Sequence, residues 1–298
     1  MTDITDLTLG DITLTRVVES GDPHLSPTAV FPDWNEDLVA PHRHWMVPRH
    51  LDARDRLVVV IQSFLIKTPH HTILVDACGG NDKDRPGSHF HQRNGNWLDR
   101  LAAAGAAPED IDFVLCTHMH VDHVGWNTRI ENGRWVPTFP NARYIFARTE
   151  WEHWQQLAAS TGLPRTGNYI ADSVLPIIEA GRADLVEMDH EIEDGIWLEP
   201  LPGHSPGLVG VNLKSTGKQA ILCGDLMHHK IQCHFPDWST NFCTDQAAAC
   251  QMRRTFLDRH AETGRLVYPA HFPAPTGGRI ERAPADTGGE FTFHFIGE

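Results

Sequence analysis

The sequence predicts a mixed α/β (α+β) fold of two sheets, each covered by helices on its outer face, a four-layer αββα arrangement. Three observations lead there. Strand-like and helix-like stretches interleave along the chain, and they do so in two similar halves, roughly 57–150 and 195–271. Over 298 residues, 41% hydrophobic and 21% charged residues make an ordinary globular balance. The chain reads as a single domain over 1–298, with residues 20–56 as an N-terminal arm or lid.

The arm comes first. It is broken by Pro23, Pro27, Pro32, Pro41 and Pro48, yet it carries Phe31, Trp34, Trp45 and Met46. Disordered segments are poor in aromatics, so an ordered arm is expected. Its apolar side chains fit a pocket lining, a seam against the rest of the chain, or the contact of a homodimer. Leu57–Ile66 and Thr72–Val75 read as paired strands around the turn at Thr68–His71. Asn96–Ala104 reads as a helix stopped by Gly105. Phe113–Thr117 is short, apolar and β-rich, which marks a buried strand. Trp151, Trp154, Leu157 and Ala158 fall at helical spacing within Glu150–Ala159. Ile196–Leu201, Leu208–Leu213 and Gln219–Cys223 read as three further strands. Thr244–Ala261 reads as a helix with Ala247, Ala248, Met252 and Phe256 inward, and Leu266–Tyr268 as a last short strand.

Composition narrows the partners. The net charge is −14, with no Lys/Arg-rich stretch, so a nucleic-acid partner is not expected. No apolar run approaches the roughly 20 residues of a membrane-spanning helix, so no membrane partner is expected either. Met1–Gly10 holds acids and no basic leader region, from which a cytoplasmic location and reduced thiols at Cys78, Cys116, Cys223, Cys233, Cys243 and Cys250 are expected. The 20 histidines point to a metal, since imidazole is the commonest metal ligand.

The strand Phe113–Thr117 runs into His118-Met-His120-Val-Asp122-His123. Four ligand-type residues fall at offsets 0, 2, 4 and 5, a spacing suited to a tight loop at a strand end. A chain of this composition shuffled at random holds such a match in roughly 0.7% of cases. Three more ligand types stand at later strand ends: His204, Asp225 and His271, each beside small or turn-forming residues. Five imidazoles and two carboxylates suit borderline ions such as zinc, and are too nitrogen-rich for magnesium or calcium. One tetrahedral zinc takes four ligands, so seven fit two metals that share a carboxylate.

With these residues the sequence resembles the metallo-β-lactamase-fold hydrolases, over about residues 57–275. The resemblance implies that His118, His120 and His204 hold one metal, that Asp122, His123 and His271 hold the other, and that Asp225 bridges them. It also implies that Asp76 orients the ligand loop from behind. Gly224–His228, His234–Asp237, Thr244-Asp245 and Ala270–Pro273 are similar to the subgroup of methyl parathion hydrolase and related lactonases and esterases. Zinc β-lactamases of the commonest subclass carry a cysteine where Asp225 stands. Only 27 residues (298 − 271) follow His271, too few for the helical domain of glyoxalase II. Many acyl-homoserine-lactone lactonases of this fold place a tyrosine shortly after the bridging aspartate. Here His228 occupies that stretch and could donate to the substrate carbonyl.

The function expected from this resemblance is hydrolysis of a neutral, fairly apolar lactone or ester by a metal-bridging hydroxide, with phosphotriesters as a side activity. The catalytic residues expected are Asp225, His228 and Asp122; the cofactors are two divalent ions, Zn2+ by preference; the partner is a small-molecule substrate. Phe235, Trp238 and Phe272, near the ligand loops, read as pocket lining. His229 and His234 read as surface or packing residues, and Cys223 as core. Gly203–Gly207 matches the G-x-S-x-G serine elbow, but Pro206 lacks the N–H that an oxyanion hole needs after the nucleophile. Two rival readings are an iron oxidoreductase of the sulfur dioxygenase type on the same fold, and a non-catalytic metal-binding protein.

Overall fold

The structure is a computed structural model that describes residues 6–21, 24–160 and 167–298. Residues 1–5 of the stretch read for a leader, and Pro23 of the arm, lie outside the described residues. The chain divides into two compact units. Unit 1 comprises residues 1–19, 61–190 and 215–217; unit 2 comprises 20–60, 191–214 and 218–298. Each contains a seven-stranded sheet with its own helices, so the mixed α/β class with two large sheets is as the sequence indicates.

The sheet of unit 1 runs in the order Asp6–Leu9, Ile12–Ser20, Ile61–Lys67, Thr72–Val75, Phe113–Leu115, Arg143–Ala147, Ala183–Val186. Its last four strands are parallel. Parallel strands are buried on both faces, which is why Thr72–Val75 and Phe113–Leu115 read as apolar runs without alternation. The register sets Val75 opposite Leu115. The segments leaving those two strands, Asp76 onward and Cys116 onward, therefore start side by side.

The sheet of unit 2 runs Glu191–Glu193, Ile196–Pro200, Val209–Ser215, Lys218–Gly224, Leu266–Pro269, Gly278–Arg282, Phe291–Phe295. Lys218–Gly224 and Leu266–Pro269 are parallel, with Gly224 opposite Pro269, so Asp225 and His271 follow the C-terminal ends of two adjacent central strands. Beneath them lies a core of Leu201, Leu208, Ile221, Phe256, Val267, Phe272 and Phe293.

Several sequence readings need correction. The strands Asp6–Leu9, Ile12–Ser20, Ala183–Val186, Gly278–Arg282 and Phe291–Phe295 lie outside the two expected halves, and Arg143–Ala147 is a further strand within the first. Leu57–Ile66 is two strands: Leu57–Val58 pairs with His24–Leu25, and Ile61–Lys67 joins the large sheet. The break has a cause, since the Val60 N–H donates to His271 O rather than to a ladder. The helix expected at Thr244–Ala261 is Gln246–His260, because the Asp245 side chain accepts from Ala248 N and caps it there. Its buried face carries Ala249, Arg253, Phe256, Leu257 and His260, while Ala247 is exposed. Buried Arg253 turns that face inward by donating to the carbonyls of Leu226, Pro236 and Trp238.

The described residues of the arm, 20–21 and 24–56, belong to unit 2 and fold into short elements. Short helices Pro27–Val30, Glu36–Val39 and Arg43–Met46 lead Trp34 against Trp238 at 5.8 Å and His42 against His234 at 4.4 Å between ring centroids. These contacts are a packed seam. Phe272, expected to line a pocket, is fully buried in the core of unit 2, and Trp238 is buried and stacked on Phe235 at 4.6 Å. Among the described residues no helix is long and apolar enough to cross a membrane.

Candidate functional site

Each unit carries a buried cluster of ligand-type residues at its strand ends. In unit 1 the chain passes from Phe113–Leu115 through His118 to His120, which stands at the N-cap of a one-turn helix, Val121–Val124. The expected loop therefore contains a helical turn, and Asp122 and His123 ride on it. His118 and His123 rings approach to 4.0 Å, and His118 Nε2 lies 3.0 Å from His120 Nδ1. Asp122 Oδ2 is 3.9 Å from His123 Nε2.

Asp76 organises this cluster. It adopts φ +61° directly after its strand, and its carboxylate accepts from Thr117 N at 2.7 Å and from the Thr117 hydroxyl at 3.0 Å. His123 Nδ1 lies 2.9 Å from Asp76 Oδ2. A carboxylate only accepts, so Nδ1 carries the hydrogen and the Nε2 lone pair is presented outward.

Backbone packing clamps the motif from behind. Gly125 N donates to Cys78 O and Trp126 N to Ala77 O, both at 2.7 Å. A Cβ on Gly125 would lie 2.0 Å from Gly79 C, and one on Gly80 would lie 2.7 Å from Gly125 C. Two buried acids that the sequence reading missed complete the clamp. Glu19 accepts from Gly79 N, Gly80 N and Trp126 Nε1; burial pushes its carboxyl up against those lowering bonds. Glu150 accepts from Met119 N at 2.9 Å and from Trp154 Nε1. Glu19 stands in no local pattern, and the i,i+4 pairing of Glu150 with Trp154 is the one local signal for either acid.

In unit 2 three imidazoles converge on one carboxylate. Asp225 is 3.3 Å from His204 Nε2, 3.2 Å from His228 Nε2 and 3.1 Å from His271 Nε2. All four side chains are at least nine-tenths buried. His271 Nδ1 lies 2.9 Å from Val60 O, so it donates there and leaves Nε2 as the nitrogen that could ligate. His204 Nδ1 lies 3.5 Å from Cys243 Sγ. Burial works against a charged His204, but the hydrogen bond and charge of Asp225 outweigh it and hold that imidazole up at about 9. Burial prevails at His228 and pushes it down to about 4 despite the same carboxylate. The carboxylate raises both imidazoles; Cys243 adds to the rise at His204, whereas the neighbouring His204 and His271 add to the fall at His228.

His228 is buried rather than solvated, and its ring stacks at 5.6 Å on His271. His229 and His234 are buried packing residues. Cys223 is core, and Ser205 is fully buried in a turn with no helix behind it, which leaves no serine elbow.

The donor set fits a borderline divalent ion. Ligand atoms of Asp225, His228 and His271 lie within 4.8 Å of one another, all buried. In each unit one ring nitrogen is anchored by an acceptor, which leaves the lone pair on the other nitrogen as the one that could ligate. Anchored imidazoles turned onto a buried carboxylate, in a two-sheet α/β chain, define a metal-binding protein. The profile of the metallo-beta-lactamase superfamily matches residues 56–271, and the chain belongs to that superfamily.

Among curated relatives, the N-acyl homoserine lactonase AiiA of Bacillus thuringiensis subsp. kurstaki is 31% identical over 122 residues, 41% of this chain and 40% of that protein. The chain thus spans about two fifths of the length of that relative. The N-acyl homoserine lactonase AiiB of Agrobacterium fabrum is 24% identical over 201 residues, 60% of this chain and 67% of that protein. Of solved structures, the hydrolase AbOPH of the beta lactamase superfamily aligns with TM-score 0.81 at 24% identity, covering 99% of this chain and 98% of its own. AidC, a dizinc quorum-quenching lactonase solved with the product N-hexanoyl-L-homoserine, aligns with TM-score 0.79 at 21% identity, covering 99% and 98%. These two likenesses establish the fold.

Proposed function

We propose that this protein is a metal-dependent hydrolase that opens a neutral, fairly apolar lactone or ester, with phosphotriesters as a side activity. In this reading His118, His120 and His204 hold one divalent ion, Asp122, His123 and His271 the other, and Asp225 serves both; zinc is the ion proposed. The chain acts as one domain over 1–298, in the cytoplasm, on a small-molecule substrate. The observation that carries the reading is the convergence of three buried imidazoles on Asp225 at 3.1–3.3 Å. The lactonase names of the curated relatives support the substrate class.

Two divalent ions, when bound, supply a hydroxide nucleophile at neutral pH and polarise the carbonyl under attack. The chain's own residues do the rest. Asp225 takes the nucleophile's proton and passes it to the leaving alkoxide. His228, neutral and buried, donates to the substrate carbonyl oxygen, the role a tyrosine fills in many lactonases of this fold. Asp122 contributes its charge to the site and helps hold the ion beside His123.

The test is base uptake in a pH-stat with zinc-reconstituted protein on an acyl-homoserine lactone, an aromatic lactone, an aryl ester, a thioester and a dialkyl aryl phosphotriester. Turnover of a lactone or ester, lost in Asp225→Asn, is the expected result. Silence on all five with two ions verified per chain would overturn the reading.

A further inference from the structure

The two nitrogens of the His204 ring have different neighbours. Nε2 lies 3.3 Å from Asp225 Oδ2, and Nδ1 lies 3.5 Å from Cys243 Sγ, within hydrogen-bond range for sulfur. The segment that brings the thiol there is sewn to the His204 turn along its main chain. Thr244 N donates to His204 O at 2.8 Å, and Asp245 N donates to Gly203 O at 3.1 Å. Gly203 has φ +135°, and a Cβ there would stand 2.5 Å from Ala249 N, so the turn lies flat on the first residues of helix Gln246–His260. Cys243 itself is held by its N–H to Thr240 O at 3.2 Å, with the Thr240 hydroxyl 3.4 Å from its sulfur.

Three other ligand-type imidazoles use oxygen behind the ring: the Asp76 carboxylate for His123, the Val60 carbonyl for His271 and the Thr117 hydroxyl, at 3.2 Å, for His118. Sulfur is a weaker and larger acceptor than any of these. Its use at His204 needs the rigid main-chain stitching described above, because a weak bond orients a ring only when its two ends are already fixed.

We propose that Cys243 is a positioning residue for His204: its sulfur accepts the Nδ1 hydrogen and so turns Nε2 toward Asp225 as the ligating nitrogen. The effect on metal binding rests on the reading of His204 as a ligand; the orientation of the ring does not. Two readouts separate them. In metal-free protein, the His204 Nδ1–H proton gives a resolved downfield resonance. It is lost to exchange in Cys243→Ala and restored in Cys243→Ser, whose hydroxyl can accept the same bond. In zinc titrations against a chromophoric chelator, Cys243→Ala binds about 10–100-fold more weakly than the parent, the range for loss of a group that orients a ligating histidine. Cys243→Ser recovers most of that loss. Cys250→Ala, which removes the other half-buried thiol, leaves both readouts unchanged.

An unchanged resonance in Cys243→Ala overturns the proposal, as does equal zinc affinity in parent and Cys243→Ala. Equal weakening in the alanine and serine variants also overturns it, because the hydrogen bond would then not be what matters. A parent that binds no zinc sinks the metal reading instead, and the resonance still decides the role of Cys243.

Discussion

The two units hold their ligand-type residues in opposite ways. Unit 1 draws four from a six-residue stretch and braces them with buried acids: Asp76 behind His123, Glu150 on Met119 N, and Glu19 on the glycine loop. Unit 2 draws its residues from positions 204, 225, 228 and 271, and what they share is the Asp225 carboxylate. One cluster is organised from behind and the other from its centre. A contiguous motif leaves the supporting groups free to sit elsewhere in the chain, whereas scattered ligands need a common focus.

The sharpest way to break this contrast is to remove each organiser. Asp225→Asn keeps the shape but discards the charge that three imidazoles share. It should cost at least about 10³-fold in kcat/KM, comparable with the loss of a main electrostatic group, measured by pH-stat. Asp122→Asn, whose carboxylate stands 3.9 Å from His123 Nε2, should cost less. Equal losses would show that unit 2 has no special focus. Asp76→Ala should weaken zinc binding about 10–100-fold by freeing His123. It should also cost about 2–4 kcal/mol of stability, because Thr117 N and His123 Nδ1 lose their buried acceptor. Chelator competition and urea denaturation read the two effects; a variant that binds zinc like the parent would remove Asp76 from the support.

Acid offers a third contrast. His229 accepts from Ile231 N through Nδ1 and donates from Nε2 to His50 O, so it must be neutral when folded. Burial pushes it down to about 4, from an ordinary 6.5. Protons therefore bind the unfolded chain first. Stability from this residue is complete above pH 6.5 and is lost as pH falls toward 4, by up to about 3 kcal/mol. Urea midpoints between pH 7.5 and 4.5 should fall for the parent and fall less for His229→Asn; parallel curves would refute the assignment. The smallest effect concerns the helix that carries the His204 turn. Asp245→Ala removes the side-chain cap on Ala248 N and should cost about 1 kcal/mol, read as a lower urea midpoint with zinc binding in unit 1 untouched.

What was legible followed the range of each interaction. Thr72–Val75, Phe113–Leu115 and Leu266–Pro269 were found because central parallel strands are apolar throughout, and His118–His123 because its residues adjoin. The edge strand Asp6–Leu9 and the interior strand Gly278–Arg282 hid because they are short and carry only two apolar residues and one. The inward face of Gln246–His260 was misread because a buried Arg253, a charged residue, occupies it. Glu19, Glu150 and Cys243 went unseen. Their contacts with Met119, His204 and Trp126 span 31 to 107 positions along the chain, where no spacing rule applies.

The glycines behind the unit 1 motif have a consequence for how this sequence can drift. Gly80 and Gly125 meet backbone to backbone, each closing the space in which the other could grow a side chain. Neither position offers a single-step route to alanine, and a change at one opens no room at the other. In a library randomised at both positions and selected for the metal-loaded form, survivors should carry the parental pair, while exposed strand positions such as Ile130 and Arg134 tolerate wide variety. The motif's freedom to diverge is thus governed by two residues that contribute no chemistry of their own.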